Sequence, residues 1–296
     1  MVVSAAFAVK EKAVGPSDLS RRVMTGAVAL PLLVGATLWS PWSFWGLVAV
    51  AALGSVWEAL ALLLPAEGSP TGGASEVEGA GGRGGGRAAR AAGLVGAALI
   101  VAWVALGSGS SLSLPWAAGL FGAVALTGLW PGGDPARRVG AILIALALVA
   151  LPLALLGRLR AEAGVAWVGL IFAVTWLGDA GAYFVGRRFG RRKLAPRISP
   201  NKTVEGSIGG AIVAVALAVG LFAAVEPGVS SWWVAGVALG ANVLGQLGDL
   251  WESALKRAAG VKDSGALIPG YGGMLDKFDS MCLAAPFVVV CAALVR

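Results

Sequence analysis

GDLWESALKRAAGVKDSGALIPGYGGMLDKFDS, residues Gly248–Ser280, is a polar island between two apolar runs, 231–250 and 280–295. Its thirty-three residues carry Asp249, Glu252, Asp263, Asp276 and Asp279 against Lys256, Arg257, Lys262 and Lys277. Most of the rest of the chain is apolar. Carboxylates in this setting can hold a divalent metal ion. The cations, with backbone N–H groups of a Gly-rich loop, can hold phosphate. An island of this kind between spans predicts a membrane bundle whose chemistry gathers on one face.

Composition bounds the rest. The chain has 296 residues, 57% hydrophobic and 13% charged, with a mean hydropathy of +0.81. A soluble domain carries about 25% charged residues. The net charge is +7, but the basic residues lie in short loops between apolar runs. They speak to membrane orientation and anionic ligands, not to nucleic acid. Cys282 and Cys291 both fall in the last apolar run, which excludes a disulfide framework. There is no histidine. That excludes an imidazole base and any zinc site built on histidine.

A span needs about 20 apolar residues. Nine segments qualify, at about 23–40, 43–64, 91–107, 114–131, 139–156, 164–186, 206–225, 231–250 and 280–295. The expected fold is therefore an all-α polytopic membrane protein with about nine transmembrane helices and cytoplasmic catalytic loops. Residues 1–22 form a cytoplasmic N-terminal segment and 23–296 one membrane domain, with 67–90 a flexible Gly-rich loop inside it. The first span lacks the exit of a signal peptide. With the N-terminus cytoplasmic, 20 of the 23 Lys and Arg residues face the cytoplasm, leaving Arg158, Arg160 and Arg296 outside. This asymmetry places the C-terminus outside a cell (inner) membrane, and both polar loops, 187–205 and 251–279, on the cytoplasmic face.

Several residues carry chemistry. Asp179 stands inside the sixth span, where an ionised group costs about 2.5–3.5 kcal/mol unless it has a partner or a wet cavity. Gly178, Gly181 and Gly186 allow close helix approach beside it. Ser199-Pro200 is read as the start of a turn. Lys202 and Thr203 sit ahead of the seventh span, where a helix N-terminus offers an anion site. Glu205 opposes phosphate, and is read as meeting metal or lysine. Asp249, Glu252 and Lys256 share one helical face. Gly272 and Gly273 let backbone N–H groups approach a ligand. Asp276 and Asp279, three apart, share a face and with Asp249 suggest a cage for Mg²⁺. Glu58, in the second span, either pairs with a cation of another span or lines a substrate groove.

These residues resemble a known family. Ser253-x-x-Lys256-Arg257-x(4)-Lys262-Asp263-x-Gly265-x-x-Ile268-Pro269-x-Tyr271-Gly272-Gly273-x-x-Asp276-Lys277-Phe278-Asp279 is similar to the signature of phosphatidate cytidylyltransferases, the CDP-diacylglycerol synthases. Ser199–Gly206, Asp179–Tyr183 and Arg22–Gly26 also resemble that family. The pattern usually has His where this chain has Tyr271, and Arg where it has Lys277. Tyr does not titrate near neutrality, and Lys lacks the bidentate fork.

The resemblance implies transfer of CMP from CTP to phosphatidate, giving CDP-diacylglycerol and pyrophosphate. The nucleophile is a phosphate monoester with a second pKa near about 6, so no base is needed. The implied metal ligands are Asp249, Asp276 and Asp279, with Asp179 as a further candidate. The implied cofactor is Mg²⁺, alone or with a second monovalent or divalent cation. Phosphate and catalytic contacts fall to Lys202, Lys256, Arg257, Lys262 and Asp276. The substrate-binding set adds Ser199, Thr203, Glu205, Asp263, Gly272 and Gly273. The implied partners are CTP and phosphatidate in the bilayer, with a homodimer left open. Two alternatives stand beside this reading: a CTP-dependent transferase acting on another membrane lipid such as a prenol phosphate, and a cation-coupled transporter.

Overall fold

The computed structural model describes residues 16–64, 81–106, 124 and 134–295. Eight helices cover most of them. They are α1 (Pro16–Trp39), α2 (Pro41–Leu63), α3 (Gly81–Leu106), α4 (Pro135–Glu162), α5 (Val165–Phe189), α6 (Val204–Val225), α7 (Ser231–Ala258) and α8 (Leu275–Ala293). Each coincides with one of the expected spans. The remaining one, 114–131, lies outside the described residues except for buried Val124. Five helical stretches are long and apolar enough to cross a membrane, in α2, α3 (from Gly86), α4, α5 and α6. The apolar part of α1, Met24–Trp39, is shorter. Polar Asn242, Gln246, Asp249 and Glu252 dilute α7, and Asp276, Lys277 and Asp279 charge the first turns of α8. Five such helices, not nine, is therefore what the described residues establish.

Two other expectations change. The fold is not purely helical, because Lys193–Ala195 (β1) and Ser199–Thr203 (β2) pair as an antiparallel hairpin between α5 and α6. Ser199 and Pro200 lie on β2, after the turn and not at its start. The second change concerns 67–90. Residues 81–90 form the first turns of α3 despite their glycines. Ala89 is fully buried there, and the Arg90 guanidinium lies 5.4 Å from the centre of the Trp57 ring. Those anchors outweigh the poor helix propensity of the run. Residues 67–80 lie outside the described residues.

Helix packing follows small residues, because lipid supplies no hydrophobic drive between helices. A Cβ on Gly210 of α6 would meet the carbonyl of Gly178 at 2.7 Å, and one on Gly206 that of Ala182 at 2.7 Å. Thus α5, α6 and α7 form one layer and α2, α3 and α4 another, with α8 touching α7, α4 and α2 between them. Both α4 and α5 contain a π turn, at Leu146–Ala150 and Ala173–Leu177. The second is supported from α7. Asn242 Nδ2 donates to the Val174 carbonyl at 2.7 Å, and Gln246 Nε2 donates to Asn242 Oδ1 at 2.8 Å. This amide pair, with Asn242 buried and Gln246 half-buried, compensates the carbonyl that the wide turn disturbs.

The bundle has two distinct ends. At one, Arg160 Nε donates to the Thr37 carbonyl at 2.6 Å, and Trp39, Trp42 and Trp232 are exposed, as interfacial aromatics are. The other end gathers the last turn of α2, the hairpin, the end of α7 and the loop before α8. There Arg90 and Arg137 donate to the Leu64 and Leu63 carbonyls at the C-terminus of α2.

Candidate functional site

The polar cluster at that second end draws on four separated segments. The final turns of α7 bring Asp249, Glu252, Ser253, Lys256 and Arg257. β2 brings Lys202. The loop between α7 and α8 brings Ser264 and Gly273, and the first turns of α8 bring Asp276, Lys277 and Asp279.

Two lysines organise it. Lys202 Nζ donates to Asp249 Oδ2, joining β2 to α7. Lys256 ion-pairs with Glu252 on its own helix and donates to Asp276 Oδ1 at 2.6 Å, joining α7 to α8. Side-chain exposure in this triad is 12% for Lys256, 0% for Glu252 and 10% for Asp276, so the charges are held largely away from water. Burial pushes the Glu252 carboxyl up to about 9, and the Lys256 ammonium offsets only part of that. Burial would also raise Asp276, but Lys256 and the Gly273 N–H hold its carboxyl below the usual range. For Lys256, burial works against the charge, and Glu252 and Asp276 together keep its pKa above the ordinary lysine value.

Asp276 is also the knot of the loop. Its Oδ2 accepts the Ser264 N–H at 3.0 Å and the Gly273 N–H at 2.8 Å, and lies 3.0 Å from Ser264 Oγ. Ile268 N–H donates to the Gly272 carbonyl at 2.9 Å and closes the turn, with Gly270 at φ 79° and Gly272 at φ 90°. Those left-handed angles suit glycine. The Gly273 N–H is thereby spent on Asp276.

Other expected residues find different employment. Thr203 caps α6, its hydroxyl accepting the Gly206 N–H at 3.1 Å. Glu205 accepts the backbone N–H groups of Arg191 and Arg192 at 3.0 to 3.3 Å. At the N-terminus of α6 the Gly206 N–H is thus taken by Thr203 and the Val204 N–H by the Arg192 carbonyl. Arg257 donates to the carbonyls of Ile198 and Val261, at 3.4 and 3.0 Å, and ties the hairpin turn to the loop. Lys262 and Asp263 are exposed. Ser199 pairs with Ala195 on the hairpin. Lys277 lays its ammonium 5.0 Å from the centre of the Tyr271 ring, and its carbonyl accepts the Trp176 Nε1–H at 3.1 Å.

Asp179 is exposed at the start of the regular helix that follows the π turn of α5. It interacts electrostatically with Asp249, Lys202 and Lys277, and Asp279 interacts with Asp249 and Asp179. Asp279 itself is 8% exposed, with Oδ1 accepting the Ser280 N–H. Among the described residues, no group of three or more Asp, Glu or Cys side chains is arranged to hold a metal ion. Two residues at the site, Ser264 and Trp176, were not singled out from the sequence, nor was the anchoring function of Glu58. Glu252 was seen only as part of a helical face.

Comparison with known proteins places the chain among related sequences. The chain is similar to a phosphatidate cytidylyltransferase of Bacillus subtilis (strain 168), 47% identical over 131 residues, which is 44% of this chain and 49% of that protein. It is similar to one of Staphylococcus aureus (strain COL), 44% identical over 125 residues, 42% and 48% of the two chains. A third, of Staphylococcus saprophyticus, is 42% identical over 146 residues, 49% and 56% of the two. The matches thus span about half the length of these relatives. The profile of the Cytidylyltransferase family matches far more, residues 20–295. With that coverage, the chain belongs to the cytidylyltransferase family.

Proposed function

We propose that this chain transfers CMP from CTP to phosphatidate, releasing pyrophosphate and forming CDP-diacylglycerol for phospholipid synthesis. The observation that carries the reading is the pairing of Lys202 with Asp249 and of Lys256 with Asp276, drawn from separate segments to one end of a membrane bundle. In the resting chain these lysines and carboxylates neutralise one another, so burial leaves no uncompensated charge. A triphosphate offers both lysines a stronger anionic partner.

The phosphatidate phosphate attacks the α-phosphorus of CTP. One P–O bond forms, the bond to the β-phosphate breaks, and pyrophosphate leaves with the electron pair. The attacking oxygen is already largely ionised at neutral pH, because its second pKa lies near about 6. No side chain has to remove a proton, which agrees with a chain that has no histidine. Lys202 and Lys256 would hold the triphosphate in line and stabilise charge on the departing pyrophosphate.

The donor set fits Mg²⁺ in kind. Asp179, Asp249 and Asp279 are within electrostatic reach of one another, and their mutual repulsion favours a cation. A complete protein cage is unnecessary, since Mg²⁺ commonly binds one or two carboxylates plus substrate phosphates. For Asp276 to join them, Lys256 has to leave its Oδ1. When bound, the ion would offset the triphosphate charge. We further place the polar end in the cytoplasm, with nine spans, the N-terminus inside and the C-terminus outside a cell membrane. The support is the distribution of Lys and Arg.

The test is CTP turnover by the purified full-length chain in detergent with Mg²⁺, with phosphatidate present or absent. The expected products are a cytidine-labelled lipid and pyrophosphate in equal amounts, only with phosphatidate. Release of CDP, or equal turnover without the lipid, would overturn the reading.

A further inference from the structure

Glu58 lies one turn from the end of α2 and is 2% exposed. Neither expected role describes it. Its Oε2 accepts the N–H of Leu275, the first residue of α8, at 2.9 Å, and lies 3.0 Å from the Ser264 hydroxyl. Ser264 Oγ is in turn 3.0 Å from Asp276 Oδ2. Met274, at the N-cap position of α8, supplies no side-chain cap. The orphan N–H of that helix end therefore finds its acceptor on a different helix, 217 residues away in sequence.

The loop is shaped around this carboxyl. A Cβ on Gly265 or on Gly273 would run into the Glu58 side chain, and one on Gly54 of α2 would meet the Met274 side chain at 3.2 Å. Glu58 Oε1 is buried without a hydrogen-bond partner. A carboxyl there carries an insertion cost, and apolar packing alone would be met by leucine.

We propose that Glu58 is a positioning residue for the transfer: from α2 it fixes the Gly-rich loop and the first turn of α8, and so sets where Asp276 and Lys256 stand. This rests on the transferase reading above. The chain of contacts runs from Glu58 through Ser264 and Leu275 to Asp276, and from Asp276 to Lys256. Glu58 touches no substrate in this account.

The experiment compares Glu58→Gln and Glu58→Leu in the full-length chain in detergent. Gln keeps an oxygen acceptor for Leu275 N–H and Ser264; Leu has similar bulk and none. The readouts are kcat, KM for CTP, and amide hydrogen exchange over residues 264–279. Glu58→Leu is expected to lower kcat by about 100-fold, the order of loss from a misplacement of about 1 Å. KM moves far less, because the Lys202–Asp249 pair stands on other elements. Exchange over 264–279 accelerates. Glu58→Gln stays near the unmodified chain in both readouts. If Glu58→Leu fails to fold, Ser264→Ala must show faster loop exchange and a smaller loss of kcat in its place. Unchanged exchange in Glu58→Leu, or equal losses in Gln and Leu, would overturn the proposal. Should the unmodified chain not turn over CTP, the functional reading fails on its own, and the exchange comparison alone still decides the role of Glu58.

Discussion

Replacing Lys256 by Met tests the buried triad most directly. The substitution keeps a long apolar stem and removes one positive charge from between Glu252 and Asp276. Removing one partner of a buried ion pair typically costs about 3–5 kcal/mol, because the other charge is left uncompensated. The two carboxylates respond differently. Glu252, pushed up to about 9 by burial, already holds its proton at neutral pH and leaves no charge uncompensated. Asp276 loses Lys256, which with the Gly273 N–H holds its carboxyl down against burial, and keeps the N–H groups of Ser264 and Gly273 as donors. Only one uncompensated charge persists, so the loss falls at the lower end, about 3 kcal/mol. Unfolding in mixed detergent micelles measures it. Adding Glu252→Gln to the same chain should change stability little at neutral pH, because the protonated carboxyl and the amide are both uncharged. CTP turnover stays lost in both, since neither restores the ammonium. A Lys256→Met chain within about 1 kcal/mol of the unmodified one would refute the triad as a balanced unit.

Glu252→Gln alone should change the pH dependence of stability. The Glu252 carboxyl is raised in the folded chain from 4.5 to about 9, so its contribution is fully present below 4.5 and is withdrawn as pH rises toward 9; the Gln chain should show a flatter profile over that window, and parallel profiles would contradict the assignment. Asp249→Asn removes the anion that pairs with Lys202 and one acceptor of the proposed Mg²⁺ set, so kcat should fall by several kcal/mol of transition-state stabilisation, whereas a normal rate at limiting Mg²⁺ would remove Asp249 from that set. Tyr271→His should leave the pH profile of kcat/KM without a new ionisation near about 6.5, and a large gain in rate with that ionisation would show that the reaction uses a base after all. Topology is open to cysteine labelling at Lys193→Cys and Val261→Cys, both exposed, in a chain lacking Cys282 and Cys291; modification by an impermeant reagent from outside intact cells would invert the proposed orientation. Position 265 is unsuitable for this, because a side chain there collides with Glu58.

Hydropathy located the helices because each span is a local property, readable from some twenty consecutive residues. Asn242 and Gln246 are merely polar interruptions of an apolar run in the sequence. Their reason lies in α5, where the π turn displaces the Val174 carbonyl that Asn242 satisfies. Nothing in the periodicity of α5 announces a five-residue π segment. The hairpin was missed for a similar reason. Ser199-Pro200 reads as a turn, and two strands of three and five residues carry too few positions for an alternating pattern.

The same distinction separates Asp276 from Asp279. Spacing alone puts both on one face of α8, and the sequence offered them as equivalent ligands. Their surroundings differ because their neighbours come from elsewhere. Lys256 arrives from α7 and takes Asp276 Oδ1, while the loop's own N–H groups take Oδ2. Asp279 is buried near Asp249 and Asp179 and has the N–H of the next residue, Ser280, as its hydrogen-bond donor in place of a lysine. Glu58 is the extreme case. Its partners are a hydroxyl 206 residues away and a backbone N–H that has no sequence signature at all. A carboxylate whose partners are backbone groups leaves no complementary charge to find. The residues whose type could be read from the sequence are therefore those whose partners are also charged, and the groups that hold them in place are the ones only the fold reveals.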